Sequence, residues 1–258
     1  MIPIKDDIPT RRFPALTVMI IVICAVVYFG VEKGGLQLSS GGNEKVVEYG
    51  AIPYEITHPG EECDEVQGQI ACEGQPGVVG KAPKQPPTWV TIFTSMFMHG
   101  SLLHLGGNML FLWVFGNNIE DSMSRFRFAA FYLLGGVAAL LGQTLMDPGS
   151  TSPTVGASGA IAAVLGGYAI LYPRARVITL VFIIIFFTII ELPALVVLGL
   201  WFLLQVLYGA AEVAQPVGGG GVAYFAHIGG FLFGLALIKL FANHVHQDYE
   251  TQRRIPVY

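Results

Sequence analysis

The sequence predicts an all-α, polytopic membrane protein built as a six-transmembrane-helix bundle. Three observations predict it. Of the 258 residues, 53% are hydrophobic and only 12% charged, about half the charged share of a soluble domain. The mean hydropathy is +0.60. The apolar residues are gathered into tracts near the ~20 residues that one crossing of a bilayer requires. This composition excludes a disordered or collagen-like chain and fits a soluble enzyme poorly. The net charge of -4 comes without a basic tract, so nucleic acid is not an expected partner and the lipid bilayer is.

The first tract, 16–30, follows Arg11 and Arg12. No small-x-small site closes it, and Tyr28-Phe29 occupies the place a cleavage site needs, so it reads as a retained span rather than a signal peptide. Residues 1–14 then form a cytoplasmic tail, 15–242 the membrane domain and 243–258 a second tail. An outer loop covers about 32–88, rich in Gly, Pro and Glu. Further tracts run over 89–115, 127–146, 156–172, 177–210 and 222–242. The 177–210 tract is too long for one plain span, and Glu191-Leu192-Pro193 interrupts it. Either it crosses twice, or 177–190 lies in or on one face and 194–207 crosses once.

Lys and Arg orient the chain. Arg11, Arg12, Arg125, Arg127, Arg174, Arg176, Lys239, Arg253 and Arg254 fall on one side if the 177–210 tract crosses once, while loops 147–155 and 211–221 contain neither residue. The positive-inside rule then places both termini in the cytoplasm and 32–88 outside. In that loop Cys63 and Cys72, with eight residues between them, are a disulfide candidate in an oxidising compartment. Two unpaired surface thiols are the alternative.

Polar groups at bilayer depth are costly, so each is a functional candidate. His99, His104 and Asn108 lie at the start of the 89–115 tract. His104 and Asn108, four apart, share a helical face. Gly156-x-Ser158-Gly159 opens the 156–172 tract, where unpaired backbone N–H groups can face an anion. His227 lies near the start of the 222–242 tract. Alone, the first group is as readable as interhelical hydrogen bonding, the second is more often a helix cap or small-residue packing surface, and a lone histidine is more often a packing residue than a catalyst. With one crossing at 177–210, however, Ser158 and His227 share one depth below the outer surface. Small residues at four-residue spacing, Gly159, Ala163, Gly167 and Ala226, Gly230, Gly234, let those two helices approach closely. No carboxylate or cysteine stands near at metal-ligand spacing, so no metal is expected.

Together these motifs resemble the rhomboid family of intramembrane serine proteases over about 89–240. Asn117-Asn118-Ile119-Glu120-Asp121 is also similar to the family. The resemblance implies Ser158 as nucleophile and His227 as base, without cofactor. It implies an oxyanion pocket of Asn108, His104 and the Ser158 N–H, with His99, Gly156 and Gly159 in support. Single-span transmembrane proteins are the implied substrates, cut near the extracytoplasmic side. Two departures stand out. Ala162 replaces the aromatic residue against which the histidine stacks in some members, and the outer loop lacks the Trp-Arg pair some members carry. Four glycines, Gly218, Gly219, Gly220 and Gly221, form a loop that either moves to admit substrate or merely connects. The compact six-span form points to a bacterial inner (plasma) membrane. The alternatives are a non-catalytic rhomboid-like protein that binds membrane clients, and a small transporter, for which internal repeat symmetry is missing.

Overall fold

A computed structural model of the chain describes residues 1–32, 44–66, 68–82, 85–183, 186–214 and 221–243. The chain opens with β1 (Ile2–Asp6) and α1 (Ala15–Val26), which a π-type turn extends through Val27–Val31. The segment after α1, expected outside from the charge pattern and named the outer segment for that reason, holds α2 (Glu44–Tyr49), α3 (Pro53–Thr57) and the hairpin β2 (Cys63–Val66) and β3 (Gln69–Cys72). Then come α4 (Thr88–Thr94), α5 (Leu102–Phe111), α6 (Asn117–Asp121), α7 (Arg125–Met146) and α8 (Ser158–Leu171). The chain continues through β4 (Arg176–Ile183), β5 (Phe186–Pro193), α9 (Ala194–Ala214) and α10 (Tyr224–Phe241). Among the described residues, α7, α9 and α10 are each long and apolar enough to cross a membrane, and Ala15–Val31, Thr88–Phe97 and Ser158–Leu171 are shorter apolar helices.

The buried helix α8 is the axis of the fold. Ala160 through Leu165 are at most 3% exposed, and Tyr168 and Tyr172 are fully buried. Its small residues set the spacing to its neighbours. A Cβ placed on Gly230 would lie 2.1 Å from the Gly159 carbonyl oxygen, and one on Gly234 would lie 2.0 Å from that of Ala163. The matched order of these pairs shows that α8 and α10 run parallel with their backbones in direct contact. The small-residue stripes seen in the sequence are therefore the faces that meet. On the other side, Gly159 opposes Ala139 and Gly135 opposes Ala163, so α7 runs antiparallel to α8.

Three features depart from the sequence expectation. The 89–115 tract is not one helix. A 3-10 turn, Ser95–Phe97, ends its first part, and Ser101 restarts it in extended conformation, accepting a hydrogen bond from the His104 N–H at 3.2 Å. Ser101 is thus an N-cap inside the tract. Second, the described residues of 177–190 are β-strands rather than a helix, so the fold is mostly rather than wholly helical. Thirteen of these fourteen residues are β-branched or aromatic, which favours a pleated strand over a helix. β4 and β5 pair antiparallel, and β1 joins β4 to give the order β1-β4-β5. One helix, α9, follows the hairpin, in agreement with the single-crossing alternative.

Third, part of the segment read as an N-terminal tail is docked. Asp6 is buried and accepts from Tyr168 Oη at 2.6 Å and Asn118 Nδ2 at 2.5 Å. The Asn118-Ile119-Glu120-Asp121 run forms the rest of this clamp. Glu120 accepts from the N–H groups of Leu16 at 3.0 Å and Thr17 at 2.8 Å. It caps α1, whose own N-cap position is Pro14 without a capping bond. Asp121 accepts from the Arg11 N–H at 2.9 Å and from Arg12 Nε at 3.1 Å. Apart from Asn243, the 243–258 tail lies outside the described residues.

Candidate active site

Ser158 is the first residue of α8, and the bend before it is made by Gly156 with φ +125°. That φ suits glycine, and space adds a second constraint. A Cβ on Gly156 would stand 2.8 Å from the His104 ring and 3.5 Å from Asn108 Nδ2. The Gly156 N–H donates to the Ser95 carbonyl at 2.8 Å, tying the bend to the end of the α4 segment.

His227 sits in the first turn of α10 and is 9% exposed. Gln143 of α7 steadies that turn by accepting from the Ala226 N–H at 3.2 Å. Because α8 and α10 are parallel and in backbone contact, their first turns lie side by side. His227 Nε2 and Ser158 Oγ are 2.8 Å apart, a hydrogen-bond distance. The other ring nitrogen, Nδ1, is 2.8 Å from Gln205 Oε1 of α9. The Trp201 ring of α9 lies 5.7 Å from the imidazole, centre to centre, at a 39° tilt. An aromatic neighbour thus comes from α9 rather than from position 162. Gln205 and Trp201 escaped the sequence reading because both sit in an apolar tract with no motif around them.

His104 and Asn108 face the serine turn from α5. Asn108 Nδ2 is buried and has no hydrogen-bond partner among the described residues. An unsatisfied buried donor costs free energy, and here it borders the space above Ser158. His99 is placed differently. It is 1% exposed and packs edge-on against His104 with ring centres 5.2 Å apart. Its N–H donates to the Glu32 carboxylate at 3.1 Å. It therefore lies behind His104 and not on the cavity wall, because the break at 98–101 removes it from the helix of His104.

A cavity of about 1340 Å³ opens over these groups, lined by Ser158, His227, His104, Asn108, Gly156 and Gly159. The outer segment forms another part of its wall, through Val46, Val47, Glu65, Gly68, Gln69 and Ile70. That segment has a small core of Val47, Ile52, Tyr54, Cys63 and Cys72. Cys63 and Cys72 are directly opposed across β2 and β3 and are joined as a disulfide. Ala51 pairs with Thr154, and the Tyr54 N–H donates to the Ser150 carbonyl at 3.0 Å. The outer segment is thereby fixed to the loop that leads into Ser158. Gly221 also borders the cavity, while Gly218, Gly219 and Gly220 lie outside the described residues.

The Rhomboid domain family model matches residues 86–244, more than half of the chain. The chain belongs to the rhomboid family. It is 31% identical over 171 residues to "Rhomboid protein 1, mitochondrial" of Saccharomyces cerevisiae, covering 64% of this chain and 44% of that protein. It is 33% identical over 144 residues to "Presenilin-associated rhomboid-like protein A, mitochondrial" of Danio rerio, covering 55% and 34%. It is 37% identical over 75 residues to "Rhomboid-like protein 11, chloroplastic" of Arabidopsis thaliana, covering 29% and 26%. The chain thus spans less than half the length of these relatives. It is a multi-pass integral membrane rhomboid. The relatives are named for mitochondria and chloroplasts, so they lend no support to the bacterial inner membrane expected from the six-span form.

Proposed function

We propose that this rhomboid is an intramembrane serine endopeptidase working through a Ser158–His227 dyad. The observation that carries the reading is the 2.8 Å contact between Ser158 Oγ and His227 Nε2, formed across two helices on the wall of the cavity. A serine hydroxyl is a weak nucleophile at its own pKa and needs an adjacent base. Neutral His227 takes the hydroxyl proton at Nε2 as Oγ attacks the scissile carbonyl. The imidazolium then protonates the leaving amine, and water, activated by the same nitrogen, releases the acyl group. Negative charge on the tetrahedral oxygen is met by the Ser158 N–H and Asn108 Nδ2, with His104 beside them. Asn108 Nδ2, without a partner among the described residues, supports this role, since a pre-set donor needs no rearrangement when charge develops.

The substrates proposed are single-span proteins with a locally unwound, small-residue segment, because a helix hides its carbonyls from a nucleophile. They are cut at the extracytoplasmic side. In this reading the chain crosses six times, with its termini on the cytoplasmic side and the outer segment above the site. The glycine loop 218–221 is the proposed way in for substrate.

The test is cleavage of a model transmembrane substrate by the reconstituted protein. The parent is expected to cut it, and Ser158→Ala and His227→Ala are expected to lose at least ~10³-fold in rate. Cleavage that persists in Ser158→Ala excludes the dyad. A parent that binds substrate without cutting it favours a client-binding role.

A further inference from the structure

The dyad leaves one polar neighbour of His227 without a role. Between Ala194 and Leu207, Gln205 is the only amide, hydroxyl or charged side chain. It is 8% exposed. A buried amide in an apolar helix is costly unless both ends are bonded, and both are. Nε2 donates to the Trp201 carbonyl at 3.2 Å, and Oε1 lies 2.8 Å from His227 Nδ1.

These two contacts fix the chemistry of the imidazole. The Trp201 carbonyl can only accept, so the amide nitrogen must face it. The amide oxygen must then face His227, and it too can only accept. His227 Nδ1 therefore carries the proton. Nε2 is left with a lone pair, 2.8 Å from Ser158 Oγ. We propose that Gln205 is a positioning residue for the Ser158–His227 dyad, holding His227 as the Nδ1–H tautomer and aiming Nε2 at the serine. The proposal rests on the protease reading above. Gln205 does from a third helix what a buried carboxylate does in a triad, without placing a charge in the bilayer. Once Nε2 has taken the serine proton, the Nδ1–H bond to Oε1 continues to hold the ring while Nε2–H turns to the leaving amine.

The experiment uses the full chain in lipid, with three variants and two readouts. In protein labelled with ¹⁵N-histidine, the His227 signals are identified by their absence from His227→Ala. In the parent at neutral pH, Nδ1 is expected to appear protonated and Nε2 bare. The opposite tautomer in the parent overturns the proposal. Gln205→Leu removes the acceptor at similar volume. It is expected to lower kcat by about 10²-fold, less than the ~10⁴ seen when a charged orienter is lost. KM stays within about twofold, and the tautomer signal becomes mixed. Gln205→Glu retains an oxygen that accepts from Nδ1 and is expected to recover activity to within about tenfold of the parent.

A Leu variant with parental kcat overturns the proposal and leaves the dyad standing. A loss that Glu does not repair assigns Gln205 to packing and also overturns it. If the Leu variant does not fold, the parental tautomer and the Glu variant still decide. A parent without activity, or an active Ser158→Ala, instead removes the protease reading on which the proposal stands.

Discussion

At the scale of single residues, the site is a set of donors and acceptors brought together from four helices. Ser158 comes from α8, His227 from α10, Gln205 from α9, and Asn108 with His104 from α5. Asn108 is the member whose role is most exposed to test, because its buried Nδ2 is bonded to nothing described. Asn108→Ala is expected to lower kcat by ~10²–10³ with little change in KM, as loss of one oxyanion donor does. Steady-state cleavage of a membrane substrate measures it. A variant with unchanged kcat removes Asn108 from the proposed oxyanion pocket. The sequence showed Ser158, His227, His104 and Asn108 because polar groups stand out in apolar tracts. It did not show Gln205, since a lone amide has no period or motif, and only the fold brings its Oε1 to His227.

At the scale of elements, the position of the dyad depends on how closely α10 lies on α8. Gly230→Ala puts a Cβ 2.1 Å from the Gly159 carbonyl oxygen, so the helices must part. Overpacking of this kind costs about 1–3 kcal/mol, and activity is expected to fall further than stability because the Ser158–His227 contact is stretched. Gly199→Ala in α9 is the control, with nothing within 4 Å of its added Cβ. Its effect is expected to be neutral or up to ~1 kcal/mol stabilising. Thermal unfolding and turnover of the two variants are the measurements. The close approach of these helices was legible in the four-residue spacing of small residues. The hairpin of β4 and β5 was not, because hydropathy alone treats an apolar strand and an apolar helix alike. The β-branched and aromatic run over 177–190 was the signal to use.

The outer segment is expected to have its own pH dependence. Glu55 in α3 is buried, and desolvation pushes its carboxyl from 4.5 up to about 7, although the Cys63 N–H that it accepts holds it down. An acid with a raised folded-state pKa stabilises below its unfolded value, and that stability is lost as pH rises through about 7. Limited proteolysis within 44–82 is therefore expected to be faster at pH 8 than at pH 5. Glu55→Gln is expected to make the two rates alike, since Oε1 still accepts from Cys63. A parental rate that does not change with pH contradicts this.

At the scale of the whole molecule, the topology does the arranging. Ser158 and His227 stand in the first turns of two parallel helices, so a serine and a histidine 69 residues apart in sequence meet. The single helix after the hairpin, α9, is what lets α8 and α10 run in the same direction. An even number of crossings there would set Ser158 and His227 at opposite ends of the bundle. The fixed outer segment completes the cavity wall, tied to the 147–157 loop through Ala51 and Tyr54. The whole membrane bundle therefore serves one juxtaposition, and a covalent probe reads it directly. The protein in lipid is treated with a fluorophosphonate, and the adduct is located by mass spectrometry. The expected result is a single adduct on Ser158 that forms in the parent and is lost in His227→Ala. An adduct on another residue, or undiminished labelling of Ser158 without His227, contradicts a hydroxyl activated by that imidazole.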